Sequence, residues 1–205
     1  MILMGWIILF IIFIILLLIL FLLNFYRDPE RITSKGNNIT SPADGRIISI
    51  IDTSEKVVRI KKGLFGKIRT LTNDIAEQCY AISIFMSPFD VHINRAPING
   101  IVKSIKYTKG KFFGAFNIEK SFNNEKNEII IQNENIKVKV IQIAGFLARR
   151  IKCHVKKNQK VNKGDKIGMI ALGSQTMLIL PEGVTLKVKV NDKVKAGIDI
   201  LANLR

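Results

Sequence analysis

The first segment limits what this chain can fold into more than any other feature. From Ile2 to Leu23 there is no charged residue, and nothing more polar than Gly5 and Trp6. As an α-helix rising about 1.5 Å per residue the run is ~33 Å long, a match for the ~30 Å hydrocarbon core of a bilayer. A cleaved secretory signal calls for a basic leading region, a shorter apolar stretch and a small-residue cleavage site, and none of these is present. Residues 1–24 are therefore expected to form a transmembrane anchor that stays attached.

Arg27, Arg31 and Lys35 follow the run directly, whereas only the α-amino group is charged at its other end. The positive-inside rule then places the body on the cytoplasmic side of the cell (inner) membrane. All 32 Lys and Arg and all 16 Asp and Glu lie at or after Arg27, so the net charge of +16 belongs to the body alone. Such a body is drawn to anions. Nucleic acid is one class of anion, but that reading rests on charge alone, without a recognition motif. The anchor already holds the body beside acidic lipid, where each basic residue gains roughly 1 kcal/mol. Anionic membrane lipid is the expected partner, and nucleic acid is not. Cys79 and Cys153 suggest no disulfide framework, and their wide spacing, with only 2 histidines, argues against a metal site.

Residues 25–40 read as a polar linker containing Pro29 and Gly36, and 41–205 as short strands punctuated by Gly and Asn. The expected strands are Arg46 to Ile51, Val57 to Ile60, Tyr80 to Phe85, Ile101 to Tyr107, Ile129 to Gln132, Ile136 to Ile143 and Thr185 to Val190. Ile136-Lys137-Val138-Lys139-Val140 alternates apolar and polar side chains, the period of a half-buried strand. No stretch beyond residue 24 keeps a helical period. A faint echo runs through the body. Pro42 to Ile47 and Pro97 to Val102 share P-x-x-G-x-[IV], while Gly164-Asp165-Lys166-Ile167 and Asn191-Asp192-Lys193-Val194 share a turn followed by a β-branched residue. Both resemble turns of lipoyl-like, barrel-sandwich domains. The expected fold is one N-terminal transmembrane helix and a compact, mostly β, barrel-sandwich body. An internal duplication is one reading of the echo, and ordinary turn chemistry the other.

Three segments are richer in reactive residues than a plain β-domain needs: Ser41 to Gly45, Phe85 to Pro97 and Ala171 to Pro181. Together they supply Asp44, Asp90, His92, Arg95 and Ser174. An Asp-His-Ser arrangement is open to them, in which a carboxylate orients an imidazole and the imidazole takes the hydroxyl proton. A hydrolase would present its serine in something like G-x-S-x-G, which is absent. Ser174 instead follows Gly173, whose lack of a side chain leaves its carbonyl open to close approach.

These residues sit in ordered motifs: FYRDPER (Phe25 to Arg31), SPADGRI, SIFMSPFDVHINRAPINGIV, Tyr107 to Phe112, QIAGFLARRI (Gln142 to Ile151), KGDKIGMIALGS and DKVKAG. The chain thereby resembles the short form of phosphatidylserine decarboxylase, from residue 25 to its end. The resemblance implies that the Ser174 hydroxyl attacks the Gly173 carbonyl and that the chain cuts itself there. A β chain (1–173) and an α chain (174–205) would result, the latter headed by a pyruvoyl group derived from Ser174. That group would decarboxylate phosphatidylserine to phosphatidylethanolamine through a Schiff base, with neither pyridoxal phosphate nor metal. Asp44 and His92 match the family's charge-relay positions, and His92 is the natural proton donor in turnover. Asp90 is ranked as structural or supporting. Arg95, Arg149 and Arg150 are the cations inside the motifs, and are candidates for the lipid phosphate or serine carboxylate.

Phe112, Phe113 and Phe116 beside Lys109 and Lys111 suit either a loop dipping into the membrane interface or a core. Cys153 and His154 read as structural. Gln175 and Met177 depart from the family's usual residues after the glycine-serine pair, and Lys126 stands where Arg is usual. Two rival readings remain: the same chemistry on an ether lipid, archaetidylserine, and a membrane-tethered lipoyl-like binding module that no longer cleaves. Oligomeric state is open, a homo-oligomer included.

Overall fold

The computed structural model describes residues 2–53, 71–111, 113–114, 118–145, 150–171 and 174–204. A 24-residue helix, α1 (Ile2–Phe25), comes first. It is long and apolar enough to cross a membrane, and its apolar window is not buried by the rest of the chain. Short strands follow: β1 (Asn38–Thr40), β2 (Gly45–Asp52), β3 (Cys79–Met86), β4 (Ile93–Arg95), β5 (Gly100–Thr108), β6 (Lys126–Gln132) and β7 (Lys137–Ile143). After them come β8 (Ile151–Cys153), β9 (Lys160–Val161), β10 (Lys166–Ile170), β11 (Ser174–Pro181), β12 (Val184–Leu186), β13 (Lys193–Val194) and β14 (Ile200–Leu204). A single-turn helix, α2 (Ile118–Ser121), lies between β5 and β6.

The body is mostly β, as its residue pattern predicts. Eight strands form one antiparallel sheet in the order β13-β2-β3-β11-β7-β6-β5-β9, curled into a half-barrel. Two three-stranded sheets, β4-β10-β8 and β1-β14-β12, complete it. Most expected strands fall on β2, β3, β5, β6 and β7. The run from Thr185 to Val190 does not stay paired: β12 ends at Leu186, and the Lys189 N–H is taken by Asp192 Oδ2 (2.9 Å) as the chain turns. Val57 to Ile60 lie outside the described residues.

β11 lies between β3 and β7, with Met177 opposite Ser83 on one side and Ile141 on the other. Each face of β11 enters its own apolar cluster. Leu178 and Leu180 join Ile82, Ile84, Val138 and Val140, whereas Met177 and Ile179 join Ala81, Ile141 and Ile143 beneath Leu71 and Phe122. A strand covered on both faces needs apolar residues at consecutive positions, so its sequence shows no period of two.

The two echo motifs occupy equivalent places in the fold, as the duplication reading expects. Thr40 N–H donates to Pro97 O (3.0 Å), and Arg95 N–H to Pro42 O (2.9 Å), each donor two residues before its own motif's proline. Gly45 and Gly100 each open a strand at a point where a Cβ would lie 2.1 Å from Phe85 O and 2.6 Å from Gln132 O. Ile47 exchanges two backbone bonds with Asn191 and Asp192, as Val102 does with Asn158 and Gln159. Asn191 and Asn158 share the left-handed conformation (φ 79° and 69°). The counterpart of Asn191-Asp192-Lys193-Val194 is therefore Asn158-Gln159-Lys160-Val161, and not the Gly164 turn that the sequence suggested. Gly164 instead matches Gly197, for their N–H groups bond the carbonyls of Ala96 and Ser41, the residues before the two prolines (both 2.8 Å).

Candidate active site

Ser174 is the first residue of β11 and is fully buried. Its hydroxyl points at Met86 Sδ (3.5 Å), which Thr176 Oγ1 also approaches (3.4 Å). A chain of amides continues inward. Asn94 Nδ2 donates to Thr176 Oγ1, Gln142 Nε2 to Asn94 Oδ1, and Asn127 Nδ2 to Gln142 Oε1, each at 2.9 Å. All these side chains are buried, and each bond satisfies a group that would otherwise cost about 1–3 kcal/mol. The start of β11 is thus held by a fixed polar core.

His92 follows the turn after β3 and precedes β4. Its carbonyl accepts from Ile170 N–H (3.3 Å), four residues before Ser174, so the two segments meet. The imidazole is fully buried, with Nδ1 2.8 Å from Asp90 O. A backbone carbonyl only accepts, so Nδ1 carries the proton and Nε2 the lone pair. Among the described residues Nε2 is buried without a hydrogen-bond partner. The Phe25 ring, from the last turn of α1, lies 4.2 Å from the imidazole. Burial in these surroundings lowers the His92 pKa below its ordinary 6.5, against the opposing pull of the Asp90 carbonyl and carboxylate. Asp90 also bonds Ser87 N–H through Oδ2 (2.7 Å), which fixes the turn.

The Asp44 carboxylate is engaged elsewhere. Its oxygens accept from the two terminal nitrogens of Arg31 (2.6 and 2.7 Å), and Oδ1 also accepts from Ala196 N–H (2.8 Å). In the other echo motif Asn99 Oδ1 accepts from Lys163 N–H in the same way (2.7 Å). Asp44 raises the His92 pKa only through longer-range attraction, the weakest of the influences on that ring. The direct bond on the imidazole comes from Asp90.

Arg95 is buried, with Nη1 on Gly164 O (3.0 Å) and Nη2 shared between Asp28 Oδ1 (3.1 Å) and Pro29 O (3.0 Å). It ties down the segment after α1 and lines a pocket shared with Arg31 and Lys166. Arg150 is exposed and lines a cleft of about 320 Å³ with Tyr26, Lys152, Met169 and Ala171, between the end of α1 and the run into Ser174. Gly173, Arg149, Phe112 and Phe116 lie outside the described residues. Phe113 is half-buried, its backbone bonded on both sides by Asn124 (2.8 Å each), and Cys153 and His154 are exposed at the end of β8. Residue-by-residue reading passed over Phe25, Arg31, Met86, Asn94 and Gln142. All five stand in the quoted motifs, Phe25 and Arg31 in FYRDPER, Met86 and Asn94 in SIFMSPFDVHINRAPINGIV and Gln142 in QIAGFLARRI, but their residue types alone suggest no role.

A profile of the phosphatidylserine decarboxylase family matches residues 18–202. The "Putative archaetidylserine decarboxylase proenzyme" of Methanocaldococcus jannaschii is 44% identical over 185 residues, 89% of each chain. The phosphatidylserine decarboxylase proenzyme of Prosthecochloris aestuarii is 41% identical over 186 residues, 90% of this chain and 77% of its own. That of Chlorobium phaeobacteroides is 41% identical over 182 residues, 88% of this chain and 78% of its own.

Proposed function

This chain belongs to the phosphatidylserine decarboxylase family, and from that premise we propose that it converts phosphatidylserine to phosphatidylethanolamine with a pyruvoyl group made from its own Ser174. The observation that carries the reading is the buried imidazole of His92, its pKa lowered by burial and its Nε2 unpartnered among the described residues, in a segment bonded to the run entering Ser174. Such a nitrogen is a base. It can take the Ser174 hydroxyl proton as Oγ attacks the Gly173 carbonyl, which moves the acyl group from nitrogen to oxygen and breaks the peptide bond. Elimination then frees the Gly173 carboxylate, and hydrolysis with loss of ammonia leaves pyruvoyl at the head of the 174–205 chain.

Once formed, the pyruvoyl group would supply a ketone for the substrate amine and an electron sink for the loss of carbon dioxide, the part that pyridoxal phosphate plays elsewhere. In turnover His92 would take a proton from the substrate ammonium as that amine is consumed and return one to the substrate carbon after carbon dioxide leaves. Arg150 and Lys152 flank the cleft beside Tyr26 and suit the lipid phosphate. With α1 as the anchor and the basic body on the cytoplasmic side, that cleft faces the headgroup layer.

Intact-mass analysis of the purified protein tests this. Two chains are expected, the smaller blocked by pyruvoyl, and Ser174→Ala should give one. A single uncut chain in a preparation that releases carbon dioxide from phosphatidylserine would refute the proposal. Release should be blocked by carbonyl reagents and indifferent to added pyridoxal phosphate. A second reading, action on the ether lipid archaetidylserine, is favoured by the name of the archaeal relative. Parallel assays on ester and ether substrates separate the two.

A further inference from the structure

The turn that holds His92 also displays an aromatic ring with no place in the core. Phe89 is 70% exposed, although a ring of this size gains strongly from leaving water. Its position is nonetheless fixed. Arg27 Nη2 donates to Phe89 O (2.6 Å), Asp90 N–H to Ser87 O (3.0 Å), and Ser87 N–H to Asp90 Oδ2 (2.7 Å). The ring meets Phe21 of α1 edge-on, with centroids 6.4 Å apart.

That contact sets its depth. Phe21 lies one turn, about 6 Å, up the helix from Phe25 and belongs to the apolar span Leu3–Phe25. The first polar side chains, Asn24 and Arg27, mark the headgroup level below it. A ring packed beside Phe21 therefore stands at the boundary between headgroups and acyl chains, where aromatic residues are favoured.

We propose that Phe89 is a second membrane contact, inserted in the acyl–headgroup boundary beside the anchor. It rests on the reading of α1 as a transmembrane helix. Two points of attachment stop the body from swivelling about α1 and hold the side carrying His92 and the Tyr26–Arg150 cleft against the leaflet. The substrate then enters from the bilayer and not from water. This assigns to Phe89 the interfacial part that the sequence had offered to the cluster at Phe112, Phe113 and Phe116.

The test uses the full chain with its only tryptophan removed and a new one introduced, Trp6→Phe with Phe89→Trp, in phosphatidylcholine–phosphatidylglycerol vesicles. The introduced tryptophan should be quenched by lipids brominated near the carbonyl end of the acyl chain and protected from acrylamide. Flotation of the same sample reads the anchor separately. Co-flotation with an acrylamide-accessible tryptophan overturns the insertion while leaving the anchor standing, and failure to float overturns both. Protection from acrylamide without quenching by brominated lipid means that a second copy or another protein covers the ring, which also overturns it. Phe89→Asp should cut itself as the parent does, yet turn over phosphatidylserine in vesicles several-fold more slowly, with no change on detergent-dispersed substrate. Equal rates in vesicles would count against the proposal.

Discussion

At His92 two features act on one ring: burial disfavours the imidazolium, and the Asp90 carbonyl keeps the proton of the neutral form on Nδ1. Self-cleavage that needs the Nε2 lone pair should therefore hold its rate as the pH falls through 6.5 and decline only below it. Mass spectrometry of the small chain across a pH series checks this, and a decline centred above 6.5 would be the wrong sign. Stability follows the same direction. An unfolded histidine takes a proton near 6.5, and the folded one only at lower pH. The stability is complete above the unfolded pKa and is lost as the pH falls toward the folded one. Asp44 separates two roles. Asp44→Asn keeps the acceptor for Ala196, as Asn99 does for Lys163, but leaves the buried Arg31 unpaired. Thermal unfolding should show a loss of about 3 kcal/mol, part of it recovered by Arg31→Met in the same chain. A folded Asp44→Asn protein that no longer cuts itself would instead assign Asp44 to the chemistry. The motifs of the sequence pointed to Asp44, His92 and Ser174, but not to what each side chain touches. Asp44 is taken by Arg31 from 13 positions away and by Ala196 from 152, whereas the Asp90 carbonyl reaches His92 from only 2, and sequence spacing does not say which of these contacts forms.

Among the elements, legibility followed residue type and not exposure. β7 is as buried as β11 and lies beside it, but Lys137 and Lys139 give it an alternating stretch, with Lys139 buried and held by Leu71 O and Glu128, whereas β11 reads as the unbroken run Met177 to Leu180. The strand that begins at Ser174 thus shows no strand period in its sequence. The glycines show the same division. P-x-x-G reads as a turn, but the demand on Gly45 comes from Phe85, a residue of another strand, whose carbonyl an added Cβ would meet at 2.1 Å. Gly45 is also held at φ 147°. Gly45→Ala should cost about 3 kcal/mol or more, or leave no folded protein, while Gly183→Ala, with nothing within 4 Å of its Cβ, should change stability by about 0.5 kcal/mol or less. Urea unfolding of the two variants makes the comparison.

For the whole molecule, the position of β11 decides what a cut before Ser174 can do. The segment 174–205 holds β11 at the centre of the large sheet, β13 at its edge, and β12 and β14 in a small sheet that also takes β1 from the N-terminal side. The two products of self-cleavage should therefore stay together through gel filtration in mild detergent and separate only in denaturant. Elution of a free small chain from an active sample would contradict this arrangement. The linker belongs to the same assembly: Arg31 pairs with Asp44, and Asp28 pairs with Arg95 and Lys166, so α1 is seated on the body rather than tethered to it. Sequence by itself determined the apolar helix, the mostly β body, the family and the reactive residue types. Those depend on local composition, on short periods, or on motifs kept in order along the chain. Tertiary structure alone decided that Asp90 and not Asp44 bonds His92, that Phe25 covers that ring, that Phe89 stands beside Phe21, and which turns are counterparts in the echo. Apart from the Asp90–His92 bond, whose partners are 2 residues apart, each of these is a choice among partners far apart in the chain, made by which faces the closing sheet brings into contact.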